Sequence, residues 1–157
     1  MKAFMNIINP HQKGKVTTMI VYYTLLLLLL ALWIPVTIDK FLDYSTFKIS
    51  MIRQPFADNL GHIVALVLPP FEVLTVVLLF LKEFRKYGFL LSASLLLVFS
   101  GYIGIALLGA WENLPCGCGL VISGMGWGQH LLFNLFFLAI SIGGCYLHRN
   151  IIRNRKP

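Results

Sequence analysis

The chain has 157 residues, room for one domain, yet 58% of them are hydrophobic and only 12% are charged. Soluble domains run at about 45–50% apolar and about 25% charged residues, so this composition excludes an ordinary soluble globule, a disordered chain and a disulfide-dense secreted module. The net charge of +7 taken alone would suit a nucleic-acid binder, but the cations sit at the ends of apolar runs, so nucleic acid is not an expected partner.

Four runs are long enough to cross a bilayer, which takes about 20 apolar residues. The first, 16–38, carries no charge and is built around Leu25 to Leu30. Its length, and the lack of a small-x-small site after it, predict a retained helix rather than a cleaved signal peptide. Within 40–56, Phe41, Tyr44, Phe47 and Met51 recur at helical spacing with polar residues between them, which predicts an interfacial helix on the outer leaflet. The second span, 60–81, is interrupted by His62, Pro69, Pro70 and Glu72, and the third, 88–110, is uncharged. A glycine-rich loop, 111–129, leads into the fourth span, 130–147. Backbone groups cannot stay unpaired in lipid. The expected fold is therefore all-α, an integral membrane four-helix bundle forming a single domain over 1–157.

Orientation follows from the loops. Ten of the thirteen Lys and Arg lie in the N-terminus (Lys2, Lys13, Lys15), the 82–87 turn (Lys82, Arg85, Lys86) and the C-terminal tail (Arg149, Arg153, Arg155, Lys156). The 39–59 loop balances Lys40, Lys48 and Arg53 with Asp39, Asp43 and Asp58, and the 111–129 loop has neither Lys nor Arg. The positive-inside rule then predicts cytoplasmic N- and C-termini and outward-facing first and third loops. The basic tail is placed to touch anionic lipid headgroups.

The sharpest chemical feature is Cys116-Gly117-Cys118, on the outer side by that count. In a bacterial cytoplasmic (inner) membrane that side is the periplasm, where disulfides persist. Two cysteines one residue apart are close enough to bond, but the ring is small and Gly117 eases its torsions. Strained, exposed disulfides are the labile ones, which suits electron exchange and makes Cys116 and Cys118 the candidate catalytic pair. Two other readings stand beside it. The pair can be structural, or it can join His62 and His130, expected at the same outer level, as a tetrahedral zinc or copper set. A nearby imidazolium would alternatively favour the thiolate. Cys145, about 22 Å deeper than His130 along a helix, is too far to bond the pair and is expected to pack.

Glu72 is about 18 Å below Leu60 along a helix. An ionisable group near the midplane costs a few kcal/mol and marks a functional site by default. Pro69 and Pro70 each remove a backbone donor just before it, which predicts a kink and exposed carbonyls. Ser141 and Thr24 fall at a similar depth, with Tyr102 and Asn134 forming a shallower polar level. Glu72, Asn134 and Tyr102 are thus candidates for lining a pocket for a quinone, another substrate or a partner helix, or a proton path. The alternative is a hydrogen-bonded strut that fixes helix packing.

Over roughly 38–145 the chain resembles the MauE/DoxX-like redox-associated membrane proteins. The resemblance rests on Leu68-Pro69-Pro70-Phe71-Glu72, on Leu114-Pro115-Cys116-Gly117-Cys118-Gly119 and on Asn134. It implies a four-helix bundle in the cytoplasmic membrane and a role in making or reshuffling disulfides of exported proteins, often beside thioredoxin-like partners. DoxX relatives include subunits of quinone-linked oxidoreductases.

The leading expectation is a multi-pass membrane redox protein exchanging, or supporting the exchange of, thiols and disulfides through Cys116 and Cys118. Its expected partners are a periplasmic thioredoxin-like or exported thiol protein, the bilayer and other membrane subunits. One outer dithiol needs a second carrier for sustained turnover, and quinone is the candidate cofactor. The alternatives are a non-enzymatic subunit or scaffold of a larger complex, and a metal- or quinone-binding accessory protein.

Overall fold

The computed structural model describes residues 10–54, 58–109 and 126–153, and every regular element among them is a helix. In chain order these are α1 (Pro10–Leu42), α2 (Tyr44–Ile52), α3 (Asp58–Phe80), α4 (Arg85–Leu107) and α5 (Trp127–Arg153). All but α2 are long and apolar enough to cross a membrane: Gly14–Leu42, Asn59–Phe80, Arg85–Leu107 and Trp127–Arg153. They follow one another around the bundle in the order α1, α3, α4, α5, closing back on α1, and α2 packs chiefly on α3.

Each spanning helix buries one stripe at the helical period and turns its other faces outward. On α1 the stripe is Tyr22, Leu26, Leu29, Trp33, Thr37 and Lys40, and on α3 it runs through Gly61, Ala65, Glu72, Thr75 and Leu79. In water the exposed Leu, Ile, Val and Phe of the other faces would be a liability; facing lipid they are ordinary. The apolar core is built from Leu26, Leu29, Trp33, Leu79, Phe89, Leu96 and Ile140, and the free thiol of Cys145 packs half-buried against it. At Gly144 the ring of Phe89 comes so close that a Cβ would lie 2.2 Å from it, so only glycine permits this packing of α4 on α5.

Two ends can be distinguished, the α2 end and the hairpin end, where residues 81–84 turn α3 into α4. At the hairpin end Arg85 donates from Nε to the Leu79 carbonyl at 3.1 Å, satisfying one of the orphan acceptors of α3, and lies over the Tyr23 ring.

At the α2 end, α1 runs past residue 38 and stops only at Leu42, because Lys40 finds a partner inside the bundle. Asp43 then separates α1 from α2. Its carboxylate accepts from the Thr46 N–H at 3.1 Å, capping α2, and from the Ser45 hydroxyl at 3.0 Å. The α2 helix predicted within 40–56 is thus present over Tyr44–Ile52, with Phe47 and Met51 buried and Tyr44 and Phe41 exposed. Helix α3 continues through Pro69 and Pro70. Pro69 lacks the N–H that would reach the Ala65 carbonyl, and that carbonyl accepts instead from the Tyr44 hydroxyl at 3.4 Å, tying α2 to α3. Gly61 completes the contact: a Cβ there would stand 2.8 Å from the Met51 carbonyl oxygen.

Candidate functional site

The buried stripes of α1 and α3 end on charge. Cα–Cβ bonds tilt toward a helix's N-terminus. On α1, which runs toward the α2 end, Lys40 therefore reaches back into the bundle, and on the antiparallel α3 Glu72 reaches up toward it. The two meet in a hydrogen-bonded ion pair, Lys40 Nζ to Glu72 Oε1, with both side chains buried. The Lys40 ammonium also lies 5.2 Å from the centroid of the Phe47 ring on α2. Glu72 Oε2 has no hydrogen-bond partner among the described residues.

This pair forms one wall of a cavity of about 300 Å³ in the α2 half of the bundle, to which all five helices contribute. Leu32, Val36, Leu68, Leu96 and Phe99 supply apolar walls, and Phe47, Met51 and Gln54 close it on the α2 side. Helix α5 supplies Trp127, His130, Phe133 and Asn134. Its start is fixed locally: the Gly126 N–H donates to Gln129 Oε1 at 3.1 Å, half of a capping box, and the His130 N–H donates to the Gly126 carbonyl at 2.9 Å. One turn on from His130, at i+4, Asn134 points the same way. Both are buried, and His130 Nδ1 and Asn134 Nδ2 have no partner among the described residues. Tyr102 of α4 donates its hydroxyl to Gln54 Oε1, joining the segment just after α2 to the bundle.

Glu72, Asn134 and Tyr102, singled out in the sequence as separate polar levels, thus line one cavity, and His130 lines it with them. His62 instead is exposed on α3 and is not part of the wall. Ser141 is not in the cavity wall; it shares a 2.9 Å hydrogen bond with Ser92, whose Oγ also accepts from Trp33 Nε1 at 2.8 Å. Thr24 is exposed and donates to its own helix at the Ile20 carbonyl. Cys116, Gly117 and Cys118 lie outside the described residues. Among the described ones, no group of three His, Cys, Asp or Glu comes together to hold a metal ion.

Sequence reasoning missed Lys40, which it counted as a loop charge balanced by its neighbours. The signal was there: Lys40 is seven residues beyond Trp33, on the buried face of α1, and an intramembrane carboxylate calls for a cation. Gln54 and Trp127 carried no comparable signal. Chemically the cavity offers donors in Lys40 and Asn134, an acceptor in Glu72 Oε2, and in His130 a group that serves as either according to its tautomer. Around them it is apolar. A flat, mostly apolar molecule with one or two carbonyl oxygens fits that description.

The protein-family model described as "Methylamine utilisation protein MauE" matches residues 18–147. The match takes in α2, α3 and α4 whole, α1 and α5 except for 10–17 and 148–153, and the whole cavity wall. Neither curated proteins nor solved structures gave a match.

Proposed function

The chain belongs to the MauE family of membrane proteins, and from that premise we propose that it supports thiol–disulfide exchange in exported proteins through Cys116 and Cys118. The observation that carries this reading is the cavity with Glu72 Oε2, His130 Nδ1 and Asn134 Nδ2 in it, none of them partnered among the described residues. A buried polar atom left unpaired costs about 1–3 kcal/mol. Three of them around one apolar space suit a ligand that completes them better than a packing strut. Trp127 and His130 of the wall follow Cys118 by nine and twelve residues, so the dithiol segment leads directly into the site.

In this reading the ten clustered cations face the cytoplasm of a bacterial cell, and α2 lies at the outer surface of its inner membrane. A thioredoxin-like or exported dithiol attacks the Cys116–Cys118 disulfide and passes through a mixed disulfide. The partner leaves as the disulfide, and Cys116 and Cys118 are left as two thiols. A quinone, the carrier suggested by the cavity's apolar walls and donors, would take up their two electrons and two protons. Lys40 and Asn134 would hold its carbonyl oxygens, His130 would line the site with them, and the apolar walls would exclude water.

The test is thiol trapping in intact cells with a membrane-impermeant alkylating reagent, with and without mild prior reduction, using Cys145 as the topology control. Labelling of Cys116 and Cys118 only after reduction, with a shift when exported-thiol metabolism is perturbed, is the expected result. Cysteines that stay reduced, or resist reduction whatever the redox state, would leave a non-enzymatic subunit whose Cys116→Ser/Cys118→Ser variant still assembles its complex.

A further inference from the structure

At the hairpin end, away from the cavity, a cleft of about 550 Å³ opens beside the first turn of α4 and the last two turns of α5. Its walls carry three cations, Lys86, Arg149 and Arg153, together with the Asn150 amide and the Tyr146 ring. Among the described residues no carboxylate lines it. The ion pair found among them is Lys40–Glu72, so none of these three charges is paired with a described carboxylate. Lys86 lies 5.7 Å from the centroid of the Tyr87 ring, a contact that leaves its charge in place. The floor is firm: His148, also in the wall, shares a 2.9 Å hydrogen bond from Nδ1 to the Tyr22 hydroxyl and stacks on that ring.

Three like charges sharing a cleft repel one another, and an anion between them reverses the sign of that energy. Arginines one turn apart are well suited to the oxygens of a phosphate. What lies beneath them says more. Ile142, Tyr146, Arg149 and Arg153 fall at i, i+4, i+7 and i+11, one continuous face of α5. On α4, Leu90 is one turn deeper than Lys86. Ile142 and Leu90 are both exposed. From the membrane surface inward, the order is therefore cation, aromatic ring, aliphatic side chain, over about 16 Å along α5.

We infer that this cleft binds an anionic phospholipid, its phosphodiester held by Lys86, Arg149 and Arg153 and its acyl chains lying over Leu90 and Ile142. A soluble phosphate would use the cations and leave the aliphatic track without a role. The lipid belongs to the leaflet at the hairpin end, and its binding does not depend on any chemistry at Cys116 and Cys118.

The test uses the full chain, purified in mild detergent and examined by native mass spectrometry with equal amounts of phosphatidylglycerol and phosphatidylcholine. About a tenfold preference for phosphatidylglycerol is expected. Arg149→Gln/Arg153→Gln should bring the two lipids close to parity, while Arg149→Lys/Arg153→Lys keeps most of the preference. Lys15→Gln/Lys82→Gln removes the same charge from the same end outside the cleft and should change little. Circular dichroism on each variant checks that the helices remain. Equal retention of both lipids by the unaltered protein would overturn the proposal. So would equal losses in the two Gln pairs, which would mean bulk charge, or displacement of the lipid by inorganic phosphate, which would mean a soluble-anion site.

Discussion

From the cavity wall toward the hairpin end, Trp33 donates to Ser92, Ser92 and Ser141 share a hydrogen bond, and Ser141 donates on to the Phe137 carbonyl, while Tyr22 and His148 pair further along. Toward the α2 end, Thr37, Glu72, Ser100, His130 and Asn134 each bury a polar atom with no partner among the described residues. Both halves bury polar side chains within one bundle, but one uses them up internally and the other leaves them facing a cavity or its surroundings. A closed chain of hydrogen bonds positions helices and has nothing left to offer a ligand. An open set around a cavity costs stability in the empty protein, and that cost is offset only when something binds.

The contrast can be broken most forcefully at Lys40 and Glu72. Removing either partner alone, by Lys40→Met or Glu72→Leu, should destabilise the protein by about 3–5 kcal/mol in thermal or denaturant unfolding, because a buried charge is left alone. The double variant should recover most of that loss and still fail in thiol exchange. A double variant as unstable as the sum of the singles would show that the two do not act as a pair.

Next in size is a matched comparison between the halves. Ser92→Ala interrupts the closed chain and leaves the Trp33 N–H without its acceptor, so it should cost about 1–3 kcal/mol and leave exchange unchanged. Asn134→Leu removes an amide nitrogen with no partner among the described residues, so stability should hold within about 1 kcal/mol or rise. Exchange should fall. If Asn134→Leu instead unfolds the bundle while Ser92→Ala does nothing, the assignment of the two halves is reversed.

The smallest effect concerns α2, which closes one side of the cavity. Asp43 is held below the usual carboxylate range by hydrogen bonds from the Thr46 side chain, the Thr46 N–H and Ser45, in that order. A lowered carboxyl stabilises the fold above its ordinary pKa and loses that contribution as pH falls through the lowered value. The cap should therefore persist at neutral and mildly acidic pH, and hydrogen exchange of the α2 amides should rise only below that range. In Asp43→Ala these amides should exchange faster at neutral pH and lose the acid dependence.

Much of this was legible in the sequence for one reason: lipid leaves the backbone a single economical solution. The four helices of membrane-spanning length followed from apolar length and helical rise. The ends were less legible. Lys40 looked like the first residue of a loop, because a charge ordinarily closes a span, and α1 runs on only because Glu72 receives it. Thr24 shows a different failure: counting residues along a helix does not say which face a residue occupies, and Thr24 faces outward. The Pro69–Pro70 carbonyls fared similarly, since the acceptor freed by Pro69 is taken by Tyr44 from another helix.

The sequence by itself determined the class of the protein, its four helices of membrane-spanning length, and the candidacy of Glu72, Asn134 and Tyr102. These depend on composition, on periodicity and on the cost of burying charge in lipid, all of which are local properties of a chain. Only the tertiary structure decided that Lys40 belongs to Glu72, that His130 joins the cavity while His62 stays outside, and that Ser141 serves the closed half. Those outcomes depend on which faces of antiparallel helices meet and on the direction in which their side chains tilt, and a single helix carries no record of its neighbours.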